Sequence, residues 1–267
     1  MVDLIKVIIL GIIEGVTEFL PISSTGHLII ANEYLDFTGP FANLFAVVIQ
    51  VGAILSVLVF FKDKVFPKKE HFKSLTDFRR YIDLWLKVIV GIIPAGILGV
   101  LFEEKIEEYL FNSFSVSMAL IAGAIILIIV ESKEHKNVII NEKNITYKQA
   151  FIVGVFQCLA LIPGMSRSAS TIIGGLIVGF DRKVAAEFSF FLAIPTLAGA
   201  ALLKLLKADF VMTNNQLFLL IVGTVVSFIV AYVVIAGLMN YIKKHNFKVF
   251  AYYRIILGII VLLLLRG

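Results

Sequence analysis

Two long apolar stretches of this chain carry acids, serines, a histidine and an arginine where a membrane-buried helix is expected to be apolar. The first is GIIEGVTEFLPISSTGHLII, Gly11 to Ile30, and the second is GVFQCLALIPGMSRSASTII, Gly154 to Ile173. They start 143 positions apart and echo each other. Gly11 matches Gly154, Glu14 matches Gln157, Ser23 matches Ser166, and Ile29 and Ile30 match Ile172 and Ile173. Pro21 and Pro163 slip by one position, and further on Ala42 and Phe45 match Ala185 and Phe188. Charge buried in a bilayer is costly and marks a site by default. A repeat that carries two such segments points to one site built from both halves.

The rest of the chain supports a membrane setting. Of its 267 residues, 60% are hydrophobic and 16% charged, against about 25% charged in a soluble domain. The reading is an all-α polytopic membrane protein, a single integral membrane domain over 1–267, with repeat halves near 1–131 and 150–267. Apolar segments run over 4–30, 41–61, 85–101, 115–130, 150–179, 184–206, 216–236 and 250–265. Segments 4–30 and 150–179 are too long and too polar in the middle for plain spans, and read as re-entrant helix–turn–helix units. Irregular backbone is tolerated at that depth where protein or a water-filled cavity surrounds it.

Letting those two dip and return while the other six cross puts most basic residues on one side. These are Lys62, Lys64, Lys68, Lys69, Lys73, Arg79 and Arg80, then Lys133, Lys136, Lys143 and Lys148, then Arg182 and Lys183, then Lys243, Lys244 and Lys248. That side is cytoplasmic by the positive-inside rule. Lys6, Lys105, Lys204, Lys207, Arg266 and the acidic FEEKIEEY loop fall outside, as do both termini. Three crossings per half invert the second half relative to the first, giving an inverted repeat with six crossings.

The net charge of +5 reports cytoplasmic loops, and basic residues are not interleaved with exposed aromatics, so nucleic acid is not expected as a partner. The single cysteine, Cys158, excludes an internal disulfide and a cysteine metal cage and reads as a small buried apolar residue. MVDLIKVII has neither a basic n-region nor an A-x-A site, so no cleaved signal peptide is expected.

Glu14 and Glu18 are four apart and share a helix face. Such a pair suits a hard cation through oxygen ligands or general acid–base work; the plainer reading is structural, ion-paired carboxylates. Pro21 is expected to stop the helix. Ser23, Ser24 and Thr25 then supply N-cap chemistry, and the new helix offers free N–H groups to an anion. His27 follows Ser24 by three residues; serine, histidine and carboxylates together are the ingredients of an activated nucleophile. In the second half, Pro163 and Gly164 make the turn, and Ser166, Arg167 and Ser168 open a helix that continues through Ser170 and Thr171. Arg167 presents a planar fork of donors suited to phosphate. Facing lipid would be costly, so it needs a carboxylate or a bound anion. The sum describes a site for a diphosphate, where a cation and an arginine neutralise charge and an oriented nucleophile attacks phosphorus.

Other polar residues carry less. Gln50 is expected to hydrogen-bond within the bundle, Gln157 either to meet a ligand or to cap a network, and Glu187 to snorkel or pair. His71, His135 and His245 fall in loops without metal spacing. Pro195 with Gly199 suggests a kink or a close packing. No Walker-type G-x-x-x-x-G-K-[ST] run is present, so nothing suggests ATP hydrolysis.

EGVTEFLPISSTGHL, Glu14 to Leu28, and PGMSRSAST, Pro163 to Thr171, resemble the two motifs of the bacterial undecaprenyl-diphosphate phosphatases, also called bacitracin-resistance proteins. FSFFLAIP, Phe188 to Pro195, extends the likeness, and Ala169 stands where the family pattern has glycine. The resemblance implies a multi-pass inner-membrane hydrolase with its site open to the outer face. It would cleave the lipid undecaprenyl diphosphate to the monophosphate and inorganic phosphate, recycling the carrier lipid for peptidoglycan synthesis, with Mg²⁺ or Ca²⁺ as cofactor. By position, Glu14 and Glu18 would serve the metal or the acid–base step. Ser24 and His27 would be nucleophile and partner in either order. Arg167, Ser166 and Thr171 would hold phosphate, with Ser23, Thr25, Gln157 and Ser168 as further substrate contacts. A homodimer is left open. A polyprenyl-phosphate flippase is the alternative, because broken helices in inverted repeats also build transporters; a scaffold protein is the third reading.

Overall fold

The computed structural model describes residues 2–68, 74–133, 139–207 and 211–264. Lys69, His71, Lys73, His135, Lys136 and Arg266, which the sequence assigned to loops or a terminus, lie outside the described residues. The described chain is helical, without a strand among those residues; Ile139 and Phe180 form an isolated bridge. Its helices are, in order, α1 Val2–Thr17, α2 Ser24–Leu35, α3 Pro40–Val48, α4 Gln50–Phe60, α5 Lys62–Val65, α6 Leu75–Leu110, α7 Ser113–Glu131, α8 Tyr147–Gln157, α9 Arg167–Ile177, α10 Arg182–Leu206, α11 Asn214–Tyr241 and α12 Lys248–Leu264.

Among the described residues, five stretches are long and apolar enough to cross a membrane: Pro40–Phe60, Tyr81–Phe102, Ser113–Glu131, Arg182–Leu206 and Asn214–Tyr241. The sixth expected crossing, 250–265, is helical as far as the described residues run, in α12. Large apolar side chains such as Val100, Leu101, Val233 and Leu263 point outward and are mostly exposed. A lipid-facing surface asks for that, whereas a soluble protein would cover it.

The two long segments break as expected, but not where proline alone would break them. α1 ends at Thr17, one residue before Glu18 and four before Pro21. Residues 18–22 form turns before Ser23 caps α2. In the second half α8 ends at Gln157 and a 3₁₀ turn, Cys158–Leu161, precedes Pro163. The segment 41–61 also breaks, at Ile49, just before Gln50. Pro195 lies inside a continuous α10, as Pro94 lies inside α6.

Packing crosses between the halves. α1 lies on α11, α8 on α6, and α7 on α12. Glycines permit the closest of these crossings. A Cβ at Gly154 would stand 2.2 Å from the Gly91 carbonyl oxygen, and one at Gly11 would stand 2.8 Å from that of Gly223. Between helices already surrounded by lipid, association rests on such close backbone contact rather than on apolar burial. The phenylalanines of α10 fill the centre: Phe190 meets Phe19 edge to face at 5.2 Å, and Phe191 meets Phe61 at 5.4 Å.

Ion pairs close the end of the bundle that the sequence assigns to the cytoplasm. Lys64 reaches Glu187 at 2.7 Å and Glu142 at 3.0 Å. Burial would raise the Glu142 carboxyl, but the Lys64 ammonium outweighs it and holds the group below its ordinary range. Glu187 is therefore paired. Arg182 grips Glu131 through two nitrogens, Nε at 3.0 Å and Nη2 at 2.8 Å, and Glu131 also accepts from the Phe247 N–H at 3.0 Å. His245 stacks on Tyr241.

The glycine crossings yield a direct test. Gly154→Ala should lower the detergent unfolding midpoint by an overpacking cost of about 1–3 kcal/mol. Gly96→Ala, which meets nothing within 4 Å, should leave it unchanged. Equal effects would mean that the α8–α6 contact does not limit stability.

Candidate functional site

Each broken helix restarts on a serine with strained backbone. Ser23 and Ser166 cap α2 and α9 with φ of 71° and 69°, in the left-handed region that side chains rarely occupy. Each hydroxyl accepts from the N–H three residues on: Ser23 from Gly26 at 3.3 Å and Ser166 from Ala169 at 3.2 Å. The repeat is thus visible as one local geometry made twice. Strain of this kind persists only where surrounding contacts over-determine it. Here the first-turn N–H groups of both helices gain a fixed direction, with no intrahelical acceptor of their own.

The two restarts meet. Arg167 Nη2 donates to Glu18 Oε1 at 2.7 Å, with both side chains nearly buried. Its Nη1 donates to the Ser189 carbonyl at 3.1 Å, and the guanidinium lies 5.6 Å from the centre of the Phe19 ring. Ser168 Oγ donates to the Leu20 carbonyl at 2.8 Å. Thr171 Oγ1 lies 2.7 Å from Ser189 Oγ, and Ser166 Oγ lies 3.0 Å from Ser168 Oγ. The turn of the first half is therefore held by the first helical turn of the second. The plainer expectation for Arg167, a carboxylate partner, is what the structure shows; its Nε nevertheless remains buried without a partner.

The expected Ser24–His27 pair does not form. Ser24 Oγ donates instead to Glu18 Oε2 at 2.6 Å. His27 Nδ1 lies 2.7 Å from the Ser23 carbonyl, and its Nε2 lies 2.7 Å from the Tyr253 hydroxyl. A carbonyl only accepts, so Nδ1 carries the proton, and in the neutral ring Nε2 accepts from Tyr253. The reason is geometric. With Ser23 as the cap, a side chain four residues on falls back onto the Ser23 carbonyl, while Ser24 faces Glu18 at the start of the turn.

Glu14 is fully buried, and both its carboxylate oxygens lack a protein partner. The Glu18 N–H still donates to the Glu14 carbonyl at 3.0 Å, so the two acids stay one turn apart although Glu18 lies past the helix end. Among the described residues no group of three or more His, Cys, Asp or Glu side chains converges on a point. Glu14 and Glu18 are thus the two acids this site offers a cation. Two carboxylates of this kind would suit a hard cation whose other ligands are substrate oxygens or water. Gln157, at the position equivalent to Glu14, is also buried with both side-chain polar atoms unpartnered. Thr25 is only partly buried and stands outside the network.

Four contributors were absent from the sequence reading: Phe19, Ser189, Tyr253 and Arg254. The first two sit among ordinary apolar or small residues and carry no signal of their own. Arg254 had one, since an arginine within the apolar run 250–265 demands a partner.

The family model of the bacitracin resistance protein BacA matches residues 7–260. "Undecaprenyl-diphosphatase 1" of Clostridioides difficile (strain 630) is 52% identical over 264 residues, covering 98% of this chain and 96% of its own. "Undecaprenyl-diphosphatase" of Enterococcus faecalis is 46% identical over 268 residues, covering 98% and 97%. That of Clostridium tetani (strain Massachusetts / E88) is 48% identical over 269 residues, covering 99% and 97%. With its two serine-capped restarts in place and a match along nearly its whole length, the chain belongs to the bacitracin resistance protein BacA family.

Proposed function

We propose that this chain is a membrane-bound undecaprenyl-diphosphatase, which hydrolyses undecaprenyl diphosphate to the monophosphate and inorganic phosphate and so returns the carrier lipid to peptidoglycan synthesis. The names of relatives at 44–52% identity support the reaction. The observation that carries the site is the Ser24–Glu18–Arg167 chain, with contacts of 2.6 and 2.7 Å, spanning the two broken helices.

The terminal phosphate would lie between the first turns of α2 and α9. The free N–H groups and the unpartnered Arg167 Nε bind its oxygens, with Gln157 and the hydroxyls around Ser166 and Thr171 supporting the rest of the headgroup. Ser24 Oγ attacks phosphorus and passes its proton to Glu18 Oε2. The bond from phosphorus to the bridging oxygen breaks, and undecaprenyl phosphate leaves with the proton that Glu18 took from Ser24, so that Glu18 is ionised again. Water then attacks the phosphoserine and gives a proton to Glu18, the bond from phosphorus to Ser24 Oγ breaks, and Glu18 returns that proton to Ser24 Oγ as inorganic phosphate departs. Glu14, with Glu18, would hold Mg²⁺ or Ca²⁺, which when bound neutralises phosphate charge. His27, its Nε2 facing Tyr253, stands one turn along as a second proton carrier.

The membrane arrangement that suits this chemistry is an inverted repeat. α1–α2 and α8–α9 would enter and return while six helices cross, with the site opening to the outer side of the cytoplasmic membrane. Lipid substrate would then reach the site from the bilayer.

Ser24→Ala, Glu18→Gln and Arg167→Ala should each lower phosphate release by about 10²–10³-fold or more, and EDTA should abolish it. His27→Ala should cost less than Ser24→Ala; the reverse order would move the nucleophile to His27. For sidedness, single cysteines at Glu104 and Lys133 in a Cys158→Ala background should differ. An impermeant thiol reagent applied to intact cells should label the former and spare the latter, and the opposite pattern would invert the assigned topology.

A further inference from the structure

Arg254 is a completely buried charged side chain on α12. Its Nη2 donates to the carbonyls of Met165 at 3.0 Å, Gly164 at 3.2 Å and Ala119 at 3.3 Å. Nε and Nη1 have no partner, and among the described residues no carboxylate pairs with it. A buried cation held only by carbonyls is an expensive choice for a fold that could have used an apolar residue. The neighbouring helix makes room for it. A Cβ at Gly123 would stand 2.3 Å from Nη2 and 3.2 Å from Nη1.

Two of the three carbonyls it gathers, those of Gly164 and Met165, belong to the turn that launches α9, and the third, that of Ala119, belongs to α7. Gly164 takes φ of 97° against Val116, Met165 N–H donates to the Ile162 carbonyl at 3.1 Å, and Ser166 follows as the strained cap. In a trans peptide the C=O and N–H point in opposite directions. Fixing the Met165 carbonyl toward α12 therefore turns the Ser166 N–H away from it, to the same end of α9 where the N–H groups of Arg167 and Ser168 lack intrahelical acceptors. The guanidinium also adds one uncompensated positive charge behind that end. The preceding residue, Tyr253, reaches His27 of the other broken helix, so α12 touches both restarts.

We infer that Arg254 is a positioning residue for the phosphate site: it pins the carbonyl face of the Gly164–Met165 turn, aims the N–H face of α9 at the substrate's terminal phosphate, and supplies buried positive charge behind it. This rests on the phosphatase reading above.

The test uses the full-length protein in detergent, with undecaprenyl diphosphate as substrate and inorganic phosphate as product inhibitor. Arg254→Gln should raise KM and weaken phosphate inhibition by about tenfold or more, the usual scale for losing an outer support of a site. Its unfolding midpoint should hold or rise, because an unpaired buried charge is removed. Arg254→Lys should recover part of both constants. Wild-type KM and phosphate inhibition in folded Arg254→Gln would overturn the inference, as would a lower midpoint with unchanged constants. If Arg254→Gln does not fold, Gly123→Ala keeps the charge but displaces the guanidinium, and an unchanged KM there is equally fatal. Wild-type protein that releases no phosphate would instead refute the phosphatase reading itself.

Discussion

The Glu18–Arg167 ion pair joins two pieces of backbone that cannot satisfy themselves. Each broken helix leaves N–H and C=O groups without intrahelical partners, and polar groups buried without a partner are costly. The protein answers by crossing the halves. Arg167 of the second reaches Glu18 of the first, and Ser168 takes the Leu20 carbonyl beside it. Removing one member of a buried pair typically costs about 3–5 kcal/mol, because the other charge is left bare. The same contact therefore ties the two halves together at the candidate site, where Ser24 donates to the other oxygen of Glu18.

The surrounding helices make that meeting possible. Gly11 against Gly223 and Gly154 against Gly91 bring α1 and α8 down onto α11 and α6 at backbone distance. Lipid-facing residues contribute little to choosing a partner helix, whereas backbone proximity and polar contacts do. The helix ends follow the same logic, for Glu131 and Glu187 are each held by a basic residue from another element.

Much of this was legible in the residues. The 143-residue offset pairs Ser23 with Ser166, and the cap is narrowed to Ser23, Ser24 or Thr25 in the first half and to the start of Ser166–Ser168 in the second, because capping chemistry is local. Glu14 and Arg167 stood out because a charge within an apolar run must find a partner or a ligand inside the protein. The histidine partner was not legible. Spacing places Ser24 and His27 one turn apart, but which face each takes depends on the positive φ at Ser23, which no residue pattern announces. Helix ends were also displaced: α1 stops at Thr17, since the turn is fixed by contacts to α9 rather than by Pro21 alone. Tyr253 and Arg254 lie more than 220 residues from His27 along the chain, where pattern reading has no reach.

The most direct test of the central claim is a double-mutant cycle on phosphate release from undecaprenyl diphosphate, using Glu18→Gln, Arg167→Met and the double variant in purified folded protein. If the two broken helices make one site, the double variant will be about as slow as either single one, since residues acting as a unit are strongly non-additive. Losses that multiply independently, or release that survives in either single variant, would show that the halves do not share the chemistry.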